Sequence, residues 1–409
     1  MKKSIIFAAI AAVVLTSCAK THDTHQYTSP GDAISFGVYT NRTATKVNDT
    51  FGDITTANIK TSTDGFGVFA YYTQNTAWAS ASSTAKPNFM YNQQVYWKSD
   101  MTAAEQEKYV TKWYYTPLKY WPNGQNSTEV ESGTINDKVT FFAYAPQIAN
   151  ASLNTVPNAN EGITNMSANN DTGVPTLDFT VPAKVEEQID LLWAIPQIDR
   201  SKQDIDQHVD FTFKHALSKL DVYVQAVVDQ VAPTSSHLDA PNTKIILESL
   251  TITAKGVKSG TLALDSDTAT PNWSGKTGDI GIVYDGSTWT EYDKSTTYGG
   301  KTGLSVTETK TQISAVSSPM IIPATLTAGN FIVSANYWVV TYDDALDGDY
   351  SVVQNVIKKT NTSNFIVTAG NKYDVTVRFG LTSISFDVVE VTTWGDGTDP
   401  DVDLPINTD

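Results

Sequence analysis

The single cysteine of this 409-residue chain, Cys18, closes the tetrapeptide Leu15-Thr16-Ser17-Cys18. Lys2 and Lys3 stand at the start, and an apolar run follows from Ile5 to Leu15. A basic start, a short apolar stretch and small residues before a cut site are the pattern of a secretory signal. The run is too short to persist as a membrane-spanning helix. A cysteine directly after Leu-Thr-Ser matches the bacterial lipobox. The expected chemistry is acylation of the Cys18 sulfur, with residues 1–17 removed as a signal peptide and Cys18 left as the new N-terminus.

The other reactive side chains form no constellation of that kind. His22 and His25 have a metal-like spacing, but the surrounding segment is polar and brings no carboxylate cluster to them. His215 is flanked by apolar strands, and no motif places a serine or carboxylate beside it. It reads as a packed, hydrogen-bonded histidine rather than a general base. Asp396, Asp399, Asp401 and Asp403 lack the twelfth-position glutamate of an EF-hand loop and read as a solvated acidic tail. Asp343, Asp344, Asp347 and Asp349 read as a charged turn. Trp113, Tyr114, Tyr115, Tyr120 and Trp121 could stack on sugar rings or fill a core. The expectation is a protein without metal or cofactor and not an enzyme.

Charge narrows the partners. The formal net charge is -16, and loss of Lys2 and Lys3 with the signal takes it to -18. Such a surface argues against nucleic acid and anionic lipid headgroups. It suits a soluble body held at a membrane by an acyl anchor, for which several acyl chains are needed. Residues 18–30 read as a polar tether. With its only thiol acylated the chain has no disulfide, so stability must come from the core. A hydrophobic content of 40% can supply one.

The elements that must position everything else read as strands. Ile34, Phe36 and Val38 alternate with Ser35, Gly37 and Tyr39. Gly65 to Thr73 is a second strand, rich in aromatics. Val139 to Tyr144 is apolar on both faces, as in a central strand. Phe211 and Phe213 alternate with polar neighbours. After a short break at His215 to Lys219 the period resumes at Leu220, Val222 and Val224. Leu250 and Ile252, then Phe331 to Tyr342, continue the series. Tyr373, Val375, Val377 and Phe379 alternate cleanly, followed by Ile384, Phe386 and Val388. One helix is expected over Ala103 to Lys112, with Thr102 and Glu105 as a capping box. The fold class is therefore all-β, built of antiparallel β-sandwiches. The polar stretch Ser201 to Gln207 marks a domain boundary, giving sandwiches over residues 31–205 and 206–409.

Several segments together resemble the fimbrillin and Mfa-like family of Bacteroides-type pilus subunits. They are Ile34-Ser35-Phe36, Tyr120-Trp121-Pro122, Val139 to Pro146 (VTFFAYAP) and Asp190 to Ala194 (DLLWA) in the first half. In the second half they are Phe213 to Leu220 (FKHALSKL), Ile321 to Ala324 (IIPA), Gly370 to Val377 (GNKYDVTV) and Val391 to Trp394 (VTTW). Their order and spacing cover nearly the whole mature chain. The resemblance implies two tandem transthyretin-like β-sandwich domains and a lipoprotein precursor at the outer membrane that later enters a surface fimbrium. It also implies three kinds of partner: other pilin subunits, an arginine-specific protease and the membrane.

The implied assembly route is protease-triggered donor-strand exchange. Ile34, Phe36 and Val38 supply the apolar face of a strand that fills a groove in its own subunit. Arg42, the first arginine in the chain, follows in Asn41-Arg42-Thr43-Ala44, so the cut would fall between Arg42 and Thr43. At the far end Val402, Leu404 and Ile406 repeat the three-residue apolar period and form the candidate donor, with Ile384, Phe386 and Val388 as the adjacent strand. Three such side chains entering a groove contribute roughly 1.5–3 kcal/mol each. With backbone pairing added, that can exceed an association cost of about 4–15 kcal/mol. Pro405 departs from the pattern, since it cannot donate to a ladder. The alternative function is a monomeric surface glycan-binding lipoprotein using Trp113 to Trp121. Asp267-Thr268-Ala269 also fits the short O-glycosylation pattern of these bacteria.

Acylation has a direct test. Cys18→Ser should leave the protein without acyl mass and free of detergent phase in a Triton X-114 partition. Partition of the variant like the parent would remove the anchor.

Overall fold

The computed structural model describes residues 33–40, 64–106, 108–109, 111–122, 137–150, 161–202, 208–227, 243–314 and 318–393. Cys18, His22, His25, Arg42, Thr43, Trp394, Val402, Leu404 and Ile406 lie outside the described residues, as do Asp396 to Asp403.

Strands dominate, as the alternating patterns require. The first sheet contains β1 (Ser35–Thr40), β2 (Phe66–Gln74), β3 (Met90–Trp97), β4 (Trp113–Tyr114), β5 (Lys138–Ala145), β8 (Leu192–Ala194), β9 (Gln197–Arg200) and β10 (His208–His215). Their order is β1-β10-β8-β5-β2-β3-β4, with β9 also on β5. A four-stranded sheet, β14-β13-β7-β6, comprises β6 (Gly162–Met166), β7 (Thr176–Thr180), β13 (Ser259–Ala263) and β14 (Asn272–Thr277).

The remaining sheets come from the second half. One holds β11 (Ser218–Ala226), β18 (Thr311–Gln312), β19 (Met320–Ile321), β24 (Asn371–Phe379) and β25 (Ile384–Thr393), ordered β18-β11-β24-β25 with β19 also on β11. Another holds β12 (Thr243–Ala254), β15 (Ile280–Tyr284), β16 (Ser295–Tyr298), β17 (Lys301–Val306), β21 (Phe331–Tyr342) and β22 (Tyr350–Thr360). Its order is β16-β17-β12-β21-β22, with β15 also on β12. A short pair, β20 (Ala324–Leu326) and β23 (Phe365–Val367), completes the set.

Parity along the strands decides what each face covers. On the first sheet Phe69, Tyr71, Phe142, Tyr144 and Trp193 point into a large core that continues through both later sheets to Phe331, Tyr337 and Phe379. The alternate residues Phe66, Val68, Phe141, Ala143, Phe211 and Phe213 point the other way into a separate core. β5 is central and buried on both sides, which is why its sequence is apolar without alternation.

The expected boundary at residues 205/206 does not coincide with the change of sheet. β10 pairs with β1 and β8, so it belongs to the first sheet, and Phe211 and Phe213 belong to the first core. The polar stretch connects two strands of one sheet. The chain crosses to the next sheet between His215 and Ser218, at the short break in the apolar period. The halves are further joined where β7 pairs with β13.

The expected helix over Ala103 to Lys112 is a single turn, Ala103–Gln106. Its capping box is present. The Glu105 carboxylate accepts from the Thr102 amide at 2.9 Å, and the Glu105 amide donates to the Thr102 hydroxyl at 3.3 Å. The following residues are committed elsewhere: Thr111 bonds to β1, and Trp113 starts β4.

Phe211→Ala should cost about 3–5 kcal/mol through lost burial and the cavity it leaves. Chemical denaturation reads this directly, and a loss below about 1 kcal/mol would contradict its place among the rings of the first core.

Candidate assembly site

The candidate site is the slot occupied by β1 at the end of the first sheet. β1 runs parallel to β10, with Ser35 opposite His208 and Thr40 opposite Phe213. Parallel pairing of two strands so far apart in sequence cannot arise from a hairpin. It is held here by side chains. Ile34 is 1% exposed, Phe36 0% and Val38 6%.

Phe36 is the anchor. Its ring stacks on Phe211 at 5.8 Å and meets Tyr115 edge-on at 5.3 Å. Phe66 and Phe141 each close the pocket at 6.2 Å. Such offset and edge contacts suit the ring quadrupole and add to the burial term.

The outer side of β1 is clamped by the segment after the short helix. The Ile34 amide donates to the Lys119 carbonyl at 2.9 Å, and Ala33 bridges Tyr120. The Tyr115 hydroxyl, buried beneath the strand, donates to the Ile34 carbonyl at 2.8 Å. The Lys119 amide in turn donates to that hydroxyl at 3.3 Å. Burial pushes the Tyr115 phenol up from its ordinary pKa, so it remains a neutral donor. The Thr111 hydroxyl donates to the Phe36 carbonyl at 2.9 Å. β1 is thus an edge strand by order but a covered one, with the Ile34 amide and the Ile34 and Phe36 carbonyls bonded on the side away from β10. The clamp residues Thr111 and Tyr115 were not legible in advance as partners of β1. Only the unusual density of aromatics there signalled a packed surface.

The five aromatics weighed as a sugar platform are mostly spent in that packing. Trp113, Tyr115 and Trp121 are buried. Tyr114 carries the Lys98 ammonium at 4.7 Å from its ring centre, and Tyr120 alone is half exposed. Ile384, Phe386 and Val388 lie on β25 and point into the large core, with Phe386 at 5.8 Å from Phe331. β25 pairs antiparallel with β24, so this strand is already part of its own subunit's sheet. It ends its sheet, immediately before the C-terminal residues that carry Val402, Leu404 and Ile406.

His215 does have a carboxylate beside it. Its Nδ1 lies 2.8 Å from Oδ2 of Asp190, whose side chain is fully buried. No motif linked the two in sequence; the crossing from β10 to β11 places them together. They hold the junction of sheets, where the Ala216 amide donates to the Leu191 carbonyl at 2.7 Å. Among the described residues no group of three or more His, Cys, Asp or Glu is arranged to hold a metal ion. Asp343, Asp344, Asp347 and Asp349 form the exposed turn between β21 and β22. Thr268 sits in an exposed turn, its backbone amide donating to the Ser266 hydroxyl at 3.4 Å.

The family described as fimbrillin-like matches residues 38–394. The fimbrium subunit Fim1C of Phocaeicola vulgatus is 25% identical, over 99% of this chain and 100% of that protein. The crystal structure of a fimbrial protein from Bacteroides vulgatus superposes with a TM-score of 0.59 at 23% identity, covering 88% of this chain and 99% of that one.

Tyr115→Phe removes the donor to Ile34 without changing ring packing. The variant should open β1 more readily by about 1 kcal/mol. Native-state hydrogen exchange at the Gly37 and Tyr39 amides, which face β10, measures this. Unchanged protection there would show that the hydroxyl does not hold the strand.

Proposed function

The chain belongs to the fimbrillin-like family, and we propose that it is a structural fimbria subunit, exported as an outer-membrane lipoprotein and assembled by donor-strand exchange. The observation that carries this reading is β1. Its apolar side chains fill a groove that the rest of the first core has already formed, and its only onward covalent tie begins at Asn41-Arg42-Thr43. Cutting between Arg42 and Thr43 leaves β1 joined to the body by non-covalent contacts alone.

Displacing β1 then uncovers the edge of β10 together with Phe66, Phe141 and Phe211. Such a slot, apolar and lined by unpaired backbone, is a template for an added strand. In the proposed exchange Val402, Leu404 and Ile406 of another subunit enter it. Whichever way the donor runs, the middle residue, Leu404, takes the pocket of Phe36. A donor parallel to β10, as β1 is, would turn position 405 toward β10, whereas an antiparallel donor turns it away, so the missing amide of Pro405 favours antiparallel entry. An arginine-specific protease and neighbouring pilin subunits are the partners this route requires, and the assembled fimbria would support adhesion at the cell surface. Burial of Trp113, Tyr115 and Trp121 weighs against the alternative of a monomeric glycan binder.

Two changes test the route separately. Arg42→Ala should keep the chain uncut and monomeric with its fold intact. Deletion of residues 401–409 should allow cutting but stop donation, so that unboiled denaturing gels show no ladder after protease treatment. Ladders of normal length from the truncated chain would place the donor elsewhere.

A further inference from the structure

The edges of this protein are not treated alike. β1 is covered by the 111–120 segment, β16 is only four residues long, and β14 is polar. β22 is different. It is the terminal strand of its sheet, pairs with β21 over all eleven of its residues without a register shift, and contains no proline. Its three valines are exposed: Val352 by 37%, Val353 by 51% and Val356 by 77%. A long, regular, apolar edge is a pairing surface unless something interrupts it.

We propose that β22 is a homotypic interface, through which two copies of this chain pair edge to edge and antiparallel about a two-fold axis at Gln354. Three features select a second copy as the occupant. The first is charge. The acidic turn Asp343 to Asp349 stands at the N-terminal end of β22, and Lys358 and Lys359 stand at the other. Antiparallel pairing sets each acidic end against the lysines of the second copy, whereas parallel pairing would oppose like charges.

The second feature is parity. Tyr350 lies on the outer face, where its ring meets Tyr298 at 5.2 Å and Tyr342 at 5.5 Å. Ile357 packs inward on the large core. Val352, Gln354, Val356 and Lys358 therefore share the outer face with Tyr350. Both sheets keep their faces only if even positions oppose even positions.

The third is the resulting register. Centring on Gln354 places Val352 against Val356 of the second copy, Tyr350 against its Lys358, and Asp349 against its Lys359. The most exposed apolar side chain of the strand is then covered twice by symmetry, flanked by a ring–ammonium contact and an ion pair. Two six-stranded sheets become one continuous sheet, and the β1 slot lies on a different sheet.

The test uses the full chain carrying Cys18→Ser, which is free of lipid and of other thiols. Sedimentation equilibrium should show a monomer–dimer equilibrium, and Val356→Lys should weaken it about tenfold or more by setting lysine against Val352 and beside Lys358. In the same background Gln354→Cys should cross-link to a covalent dimer on mild oxidation or with a short bismaleimide. Val283→Cys, exposed on β15 with β12 and β21 between it and the edge, should not. Deletion of residues 401–409 should leave this dimer unchanged, which separates it from strand exchange. A monomeric parent, a dimer insensitive to Val356→Lys, equal cross-linking at positions 283 and 354, or loss of the dimer with the tail would each overturn the proposal.

Discussion

The insertion of Phe36 between Phe211, Tyr115, Phe66 and Phe141 is the contact on which the first half depends. β1 contributes no hairpin and has one ladder partner, yet it fills the middle of the smaller core. A strand recruited from the far end of the domain pays loop-closure entropy before any contact forms. What offsets that cost is the burial of three apolar side chains and the clamp of Thr111, Tyr115 and Lys119 on the opposite side. Nearly all of the strand's hold is non-covalent and local, and the pocket it fills is built by residues of other strands.

The two halves are interlocked rather than strung together. β10 returns late in the sequence to the first sheet, and β7 pairs with β13 across the halves. The large core runs without interruption from Phe69 to Phe379. The His215–Asp190 pair sits at the crossing, where burying the carboxylate is tolerable only because it has a close partner.

Edges divide the molecule by role. At β1 the side chains of Ile34, Phe36 and Val38 are buried, and the outer backbone is bonded at Ile34 and Phe36. At β22 the backbone and several valines stand open, bounded by opposite charges at its two ends. These are different kinds of edge, and they lie on different sheets.

Much of this was legible in the residues themselves. The apolar patterns gave β1, β2, β5 and β21 within a residue or so, most of β24 and the first half of β25, because burial of one or both faces leaves a direct imprint on side-chain type. The capping box at Thr102 and Glu105 was readable because it depends on neighbours only. What the sequence could not settle were the partners. Phe211 and Phe213 alternate in the same way whichever sheet they join, and the polar Ser201 to Gln207 stretch looks the same as a turn within a domain or a link between two. The helical turn after Thr102 gives way to a segment whose Thr111 and Tyr115 hydroxyls bond to β1, 75 and 81 positions away in the chain. Local pattern fixes the element and its faces; the pairing of β1 with β10, the Asp190–His215 contact and the exposure of β22 follow from long-range packing, which alternation does not encode.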